Sequence, residues 1–120
     1  MTTLLRNNAL GIEPQKVTDP GNAGAIPVDV SSFYVELVTA GAETRTLADP
    51  QFQGQLCILN FVTDAGDCVV TTASAMNQTG NNTITFADVG DHQILIGSKT
   101  STTAYEWREV CNDGAGLSTV

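Results

Sequence analysis

Apolar and polar residues alternate along most of this chain of 120 residues. From Val28 onward the alternation has a period of two, which is typical of β-strands with one buried face. Asp, Asn, Gly and Pro clusters separate these runs and favour turns. The pattern predicts seven strands, at residues 33–38, 44–47, 56–62, 67–72, 83–86, 92–97 and 104–111. Because no stretch sustains a helical period, we expect an all-β fold, a small antiparallel sandwich or barrel that is jelly-roll-like.

The composition of three predicted strands also indicates where each lies in a sheet. Residues 56–62 (LCILNFV) are the most apolar run and are expected to form a central strand. Residues 44–47 are short and polar, as at the edge of a sheet. The turn signal at 64–66 (DAG) separates 56–62 from 67–72, which makes these two runs a hairpin candidate.

The first 27 residues differ from the rest, because they contain Pro14, Pro20 and Pro27 and show little periodicity. Proline fixes φ and forces the preceding residue towards extended geometry. We therefore expect residues 1–27 to be an extended N-terminal arm and residues 28–120 to be the β domain. Ordering such an arm costs conformational entropy, which contacts with a partner or a neighbouring subunit would offset. A frayed terminus is the alternative. The partner-binding residues of the arm would be Leu4, Leu5, Leu10, Ile12, Pro14, Pro20 and Pro27.

The net charge is −8, from 13 acidic and 5 basic side chains. Nucleic acids and anionic membranes both attract basic surfaces, so this charge argues against either as a partner. The first residues lack the apolar core of a signal peptide, and no apolar run is long enough to span a bilayer. We therefore expect cytoplasmic synthesis, with Cys57, Cys68 and Cys111 as free and mostly buried thiols. A disulfide formed later, in a released particle, is the alternative.

Few residues offer catalytic or metal-binding chemistry. The single histidine, His92, follows Asp91 but opens an apolar strand, where a half-buried structural histidine is common. Asp64 with Asp67, and Asp88 with Asp91, fall in turn signals, where aspartate bonds to nearby backbone N–H groups. The spacing matches neither an EF-hand nor a zinc site. We therefore expect no enzyme activity, cofactor or metal, while an ion shared between subunits and a small enzyme using His92 stay open alternatives.

Short turn and strand motifs follow one another in a particular order between residues 47 and 115. Leu47 opens a turn, and the later motifs are GQL at 54–56, TDAGD at 63–67, VVT at 69–71, TITF at 83–86, DVGD at 88–91, EW at 106–107 and NDGA at 112–115. In this order the chain resembles small structural proteins of tailed bacteriophages, which include capsid decoration (cement) proteins and head-fibre-like proteins. The three cysteines are not part of that pattern.

The resemblance implies a β-rich domain, frequently a homotrimer, on the outer surface of a capsid and without enzyme activity. The implied partner is the major capsid protein, and the implied function is stabilisation of the shell in the virion after synthesis in the host cytoplasm. The alternative is a head- or tail-fibre or receptor-binding module that recognises host-surface glycans. In that case Tyr34, Tyr105 and Trp107 would form a sugar-binding aromatic surface beside polar loops at 77–82 and 98–103.

Overall fold

Two five-stranded sheets pack face to face in the computed structural model, which describes residues 14–120. These residues contain no helix. The strands are β1 (Gln15–Val17), β2 (Gly24–Ile26), β3 (Phe33–Val38), β4 (Glu43–Leu47), β5 (Leu56–Thr63), β6 (Cys68–Thr72), β7 (Thr83–Phe86), β8 (His92–Lys99), β9 (Tyr105–Asp113) and β10 (Gly116–Ser118). Sheet A has the order β1-β3-β5-β8-β9, and sheet B has the order β10-β7-β6-β4-β2. The predicted all-β sandwich is confirmed.

The first six strands alternate between the two sheets, so that successive strands of one sheet come from successive turns of the chain. They pair in parallel: Gln15 lies opposite Phe33, and Phe33 lies opposite Cys57. Residues 14–72 therefore form a superhelix of three turns, which we call the parallel half. Residues 83–118 carry β7 to β10, which extend both sheets by antiparallel pairing, and we call them the antiparallel half.

This winding differs from the uniformly antiparallel sandwich that we expected, because β1 to β6 pair in parallel. The hairpin predicted from residues 56–62 and 67–72 is wrong. These residues form β5 in sheet A and β6 in sheet B, and the turn at 64–66 is a corner that carries the chain from one sheet to the other. A turn signal shows where a strand ends but not which sheet receives the next strand.

The predicted places of individual strands had mixed outcomes. Residues 44–47 were predicted to lie at an edge, but β4 lies between β6 and β2 inside sheet B. Its polar character comes from exposed threonines on one face, whereas Arg45 and Leu47 point between the sheets and are buried. The central position predicted for 56–62 is confirmed, since β5 is the middle strand of sheet A.

The segment before Val28 belongs to the sandwich from Pro14 onward. Strands β1 and β2 extend sheets A and B, and Val17 and Ile26 on these strands are buried in the core. Within residues 14–27 the structure therefore has short edge strands where the sequence predicted an unpacked arm, and Val28 does not mark the start of the folded domain.

Inward side chains of both sheets form one core, in which aromatic rings are prominent. Trp107 meets Phe33 edge-on, with ring centroids 6.1 Å apart, and its Nε1 donates a hydrogen bond to the carbonyl oxygen of Ala48 at 2.8 Å. Phe61 of sheet A meets Phe86 of sheet B with centroids 6.2 Å apart. The core thus uses one face of each sheet, and two outer faces remain.

Candidate interaction surfaces

The three described prolines of the predicted binding set lie around the first turn of the superhelix. Pro14 precedes β1, Pro20 lies in the corner between β1 and β2, and Pro27 follows β2. Proline donates no backbone hydrogen bond and disfavours further strand pairing, so these residues limit the two edge strands to a short length. The other members of the predicted set lie outside the described residues: Leu4, Leu5, Leu10 and Ile12.

A buried ion cluster holds this first turn against the second. Arg45 is fully buried, and its Nε and Nη2 donate hydrogen bonds to the Asp19 carboxylate at 2.6 and 2.9 Å, while Nη2 also lies 2.9 Å from Glu43. The backbone N–H groups of Gly21 and Val38 donate to Asp19 as well. Burial raises the pKa of Asp19, but the hydrogen bonds from Arg45, Val38 and Gly21 outweigh this, so its pKa lies below the ordinary value. The hydrogen bond to Asp19 raises the pKa of Arg45.

The outer face of sheet A carries four adjacent aliphatic side chains, which we call the aliphatic block. Leu56 lies opposite Ile96 and Ile58 lies opposite Ile94, on the neighbouring strands β5 and β8. All four alternate with buried residues and are half-buried themselves, so they point away from the core. Tyr34 of β3 extends the block beside Ile58.

The aliphatic block was not predicted, although the sequence carries a signal for it. The runs LCIL at 56–59 and ILI at 94–96 are continuously apolar instead of alternating. A strand with apolar residues on both faces is expected to be covered on both faces. These runs predict a central strand, and they also indicate an apolar second face.

The charged side chains around the aliphatic block are paired. Lys16 Nζ lies 2.6 Å from Glu36, and Arg108 Nη2 lies 3.1 Å from Glu106. The hydrogen bond between Lys16 and Glu36 raises the pKa of the lysine and lowers that of the glutamate. Within residues 14–120, every cationic side chain except buried Arg45 belongs to a strand of sheet A: Lys16, Lys99 and Arg108. This face therefore carries both signs of charge in a protein of net charge −8.

The outer face of sheet B is polar where that of sheet A is aliphatic. Thr44 and Thr46 of β4, Thr71 of β6 and Thr85 of β7 alternate with inward residues, and Val69 lies between Thr44 and Thr85. Threonine suits a strand through its branched Cβ while its hydroxyl stays available to water. Sheet B thus presents a face that is compatible with solvent.

The residues considered for catalysis or metal binding have structural contacts. Asp64 accepts a hydrogen bond from the backbone of its own turn, and Asp91 Oδ2 accepts two at 3.0 Å each from residues 87 and 88. The turn role predicted for these two aspartates is therefore confirmed. His92 Nδ1 lies 3.1 Å from the carbonyl oxygen of Gly90. In the described part of the chain, no group of three or more His, Cys, Asp and Glu side chains is placed to hold a metal ion.

All three cysteines are free, as predicted, but they differ in accessibility. Cys57 and Cys68 are buried in the core. Burial raises the pKa of Cys57 strongly and that of Cys68 to about 11, so both thiols are held in the unreactive protonated form. Cys111 is exposed on β9, opposite Ile94 and hence beside the aliphatic block.

The predicted sugar-binding aromatic surface is not formed. Trp107 belongs to the core, and Tyr34 and Tyr105 lie on β3 and β9, which β5 and β8 separate. The strand spacing separates the two tyrosines by about 14 Å across the sheet, and the register adds a separation along the strands, because Tyr34 is level with Ile94 and Tyr105 with Lys99. In the loop at 77–82, the Asn77 side chain bonds within the loop, which leaves it less free to bind a ligand.

Comparison with protein-family models and with curated proteins found no match for this chain. Over residues 14–120, no helix is long and apolar enough to cross a membrane.

Proposed function

We propose that this protein is a structural component of a tailed-bacteriophage particle, a capsid decoration (cement) protein. It binds the major capsid protein on the outer surface of the shell and stabilises the shell, as a homotrimer. The observation that carries the proposal is the attachment of the N-terminal segment. Strands β1 and β2 join it to both sheets, and the Arg45–Asp19 ion pair fastens the corner between them.

This attachment suits a protein that joins two bodies. Residues 1–13, which carry the aliphatic residues Leu4, Leu5, Leu10 and Ile12, lead directly into β1. A partner bound to those residues is connected to the sandwich through a strand and a buried ion pair, not through a loose linker. A ligand that binds only the assembled shell stabilises it by mass action, so decoration requires no catalytic group.

The charge and the motif order support the same proposal. A net charge of −8 disfavours contact with the packaged genome and keeps the free protein soluble before it binds. The motifs that resemble phage structural proteins include two turns. The turn at 64–66 is a corner between the sheets, and the turn at 88–91 precedes β8. The proposal therefore rests on that resemblance together with the N-terminal attachment.

The test is binding to capsid shells that lack this protein, prepared from the phage that encodes it. A variant with serine at the four aliphatic positions Leu4, Leu5, Leu10 and Ile12 should bind at least about tenfold more weakly than the wild-type protein. Deletion of residues 1–27 is unsuitable, because it removes β1, β2 and Asp19 from the fold. Co-sedimentation with quantitative mass spectrometry measures the bound copies.

The matched control is Val120→Ser, which changes an exposed aliphatic residue at the other end of the chain and should bind normally. Full binding by the serine variant would contradict the role of residues 1–13. No binding by the wild-type protein, and no rise in the temperature at which shells disrupt, would contradict the decoration function itself.

A further inference from the structure

We propose that the outer face of sheet A is a self-association interface, on which a second copy of this chain packs against the aliphatic block. The block consists of Leu56, Ile58, Ile94 and Ile96. This proposal assigns an interface to the proposed homotrimer and rests on it in that respect, but it does not depend on binding to capsids.

The outer faces of the two sheets differ in polarity. A sandwich sheet that meets water on its outer side usually alternates apolar inward residues with polar outward ones. Sheet B follows this rule with threonine, whereas sheet A places four aliphatic side chains together on its two adjacent strands β5 and β8. Covering such side chains gains about 25 cal/mol for each Å² of apolar surface removed from water. The outer face of sheet A therefore has the composition of a covered surface.

The charges around the aliphatic block favour a second copy of this chain as its partner. The pair of Lys16 and Glu36 lies on β1 and β3 to one side of the block, and the pair of Glu106 and Arg108 lies on β9 to the other side. In a closed oligomer the same face of every copy turns towards the symmetry axis, so these paired charges meet paired charges. The two ion pairs of a second copy bring no excess of like charge, although the whole protein carries −8.

The charge also disfavours other occupants. A strongly basic partner is attracted to an excess of negative charge, which the two ion pairs on the outer face of sheet A do not offer, because Lys16 and Arg108 balance their carboxylates there. A strongly acidic partner is repelled by the net charge of the chain. A partner with a neutral apolar face and balanced charges is favoured, and the outer face of sheet A itself has this character.

The decisive measurement is the mass of the 120-residue chain in solution, without capsids, as a function of concentration. At about 100 μM, a typical concentration for moderate self-affinity, we expect the wild type to have a multiple of its 12.6 kDa chain mass. The double variant Ile58→Thr with Ile94→Thr copies the threonine pattern of sheet B and should sediment as a 12.6 kDa monomer. The matched control Val69→Thr makes the same type of change on the outer face of sheet B and should keep the wild-type mass.

Two further measurements keep the proposal testable if the double variant fails to fold. Lys16→Glu alters a side chain that is 66% exposed, unbalances the charge on the face and should weaken self-association about tenfold. The labelling rate of the Cys111 thiol, which lies opposite Ile94, should fall about tenfold between dilute and concentrated wild-type protein.

Three results would overturn the proposal. The first is a wild-type mass of 12.6 kDa at every concentration. The second is a folded double variant that retains the wild-type mass. The third is a labelling rate of Cys111 that does not change with concentration. The first would also contradict the proposed homotrimer. None of them bears on binding to capsids, so failure here is distinguishable from failure of the decoration function, which capsid binding tests separately.

Discussion

The parallel half and the antiparallel half of this sandwich fasten their connections in different ways. In the parallel half each corner is held by the adjacent turn of the superhelix. Asp19 in the first corner accepts a hydrogen bond from the backbone of Val38, 2.8 Å away at the end of β3. Thr39 in the second corner, between β3 and β4, donates its hydroxyl to the carbonyl oxygen of Gly66 in the third corner, between β5 and β6, at 2.7 Å. The corners therefore form a stack, in which each depends on its neighbour.

In the antiparallel half the turn before β8 uses its own aspartate to bond its own backbone, while backbone pairing with Phe61 joins it to β5. Asp91 accepts hydrogen bonds from the backbone N–H groups of residues 87 and 88, and its own N–H donates to the carbonyl oxygen of Asp88. The difference teaches that side chains in the stacked corners find their partners 19 to 27 residues away along the chain, whereas the side-chain bonds of the turn before β8 span only three or four residues. A mutation in a stacked corner should therefore cost more than a comparable mutation in the antiparallel half.

The largest expected effect is that of Arg45→Ala, which removes the cation from the buried cluster of the parallel half. Asp19 and Glu43 are only 10% and 13% exposed, so they would lose their counter-charge in a poorly hydrated site. Removing one partner of a buried ion pair costs about 3–5 kcal/mol. We expect a loss of this size in the free energy of unfolding, measured by denaturant titration.

The control for Arg45 is Arg108→Ala, in the antiparallel half. The side chain of Arg108 is 40% exposed and that of its partner Glu106 is 33% exposed, so solvent weakens their interaction. We expect a loss of about 1 kcal/mol or less. Equal losses for the two arginines would contradict the proposed difference between the halves.

A smaller effect is expected from Gly66→Ala in the third corner. A Cβ at Gly66 would meet the backbone of Gly41 and Ala42 in the second corner, and backbone cannot move aside as a flexible side chain can. We expect a loss of about 2–3 kcal/mol in stability from this overpacking. Gly41→Ala is the matched control, because its added methyl group meets open space and should change stability little. Equal effects of the two substitutions would show that the corners are not closely stacked.

The sequence was informative about features whose causes are local. Alternation located β3 to β9, and the continuous apolar run at 56–62 identified the central strand of sheet A. The aspartates at 64 and 91 were recognised as turn residues, because such an aspartate bonds to the backbone nearby along the chain.

The winding could not be predicted in the same way. Strands β1 and β2 are each three residues long, too short to show a period, and their partners β3 and β4 lie about 20 residues away without any sequence repeat. Arg45 alternates with threonines and reads as a solvated residue, because only the fold brings Asp19 to it. The prolines were read as marks of an extended arm, whereas Pro14, Pro20 and Pro27 delimit edge strands.

The smallest expected effect concerns the dependence of stability on pH through Asp19. Its pKa is lower in the folded chain than the ordinary value near 3.9, so the folded state binds this proton more weakly than the unfolded state. The stability from the ionised carboxylate is therefore fully present above about pH 5 and is lost as the pH falls through the folded pKa. Asp19→Asn should cost only about 1–2 kcal/mol at neutral pH, because Glu43 still pairs with Arg45 and the asparagine side chain still accepts hydrogen bonds. The difference from wild type should narrow in acid. Denaturant titrations at pH 7 and near pH 3 measure this difference.

The pKa of Glu36 is also lowered, by Lys16, but Glu36 is present in both proteins, so its contribution to the pH dependence cancels in the comparison. A difference that stays constant between the two pH values would mean that the Asp19 carboxylate does not fasten the first corner.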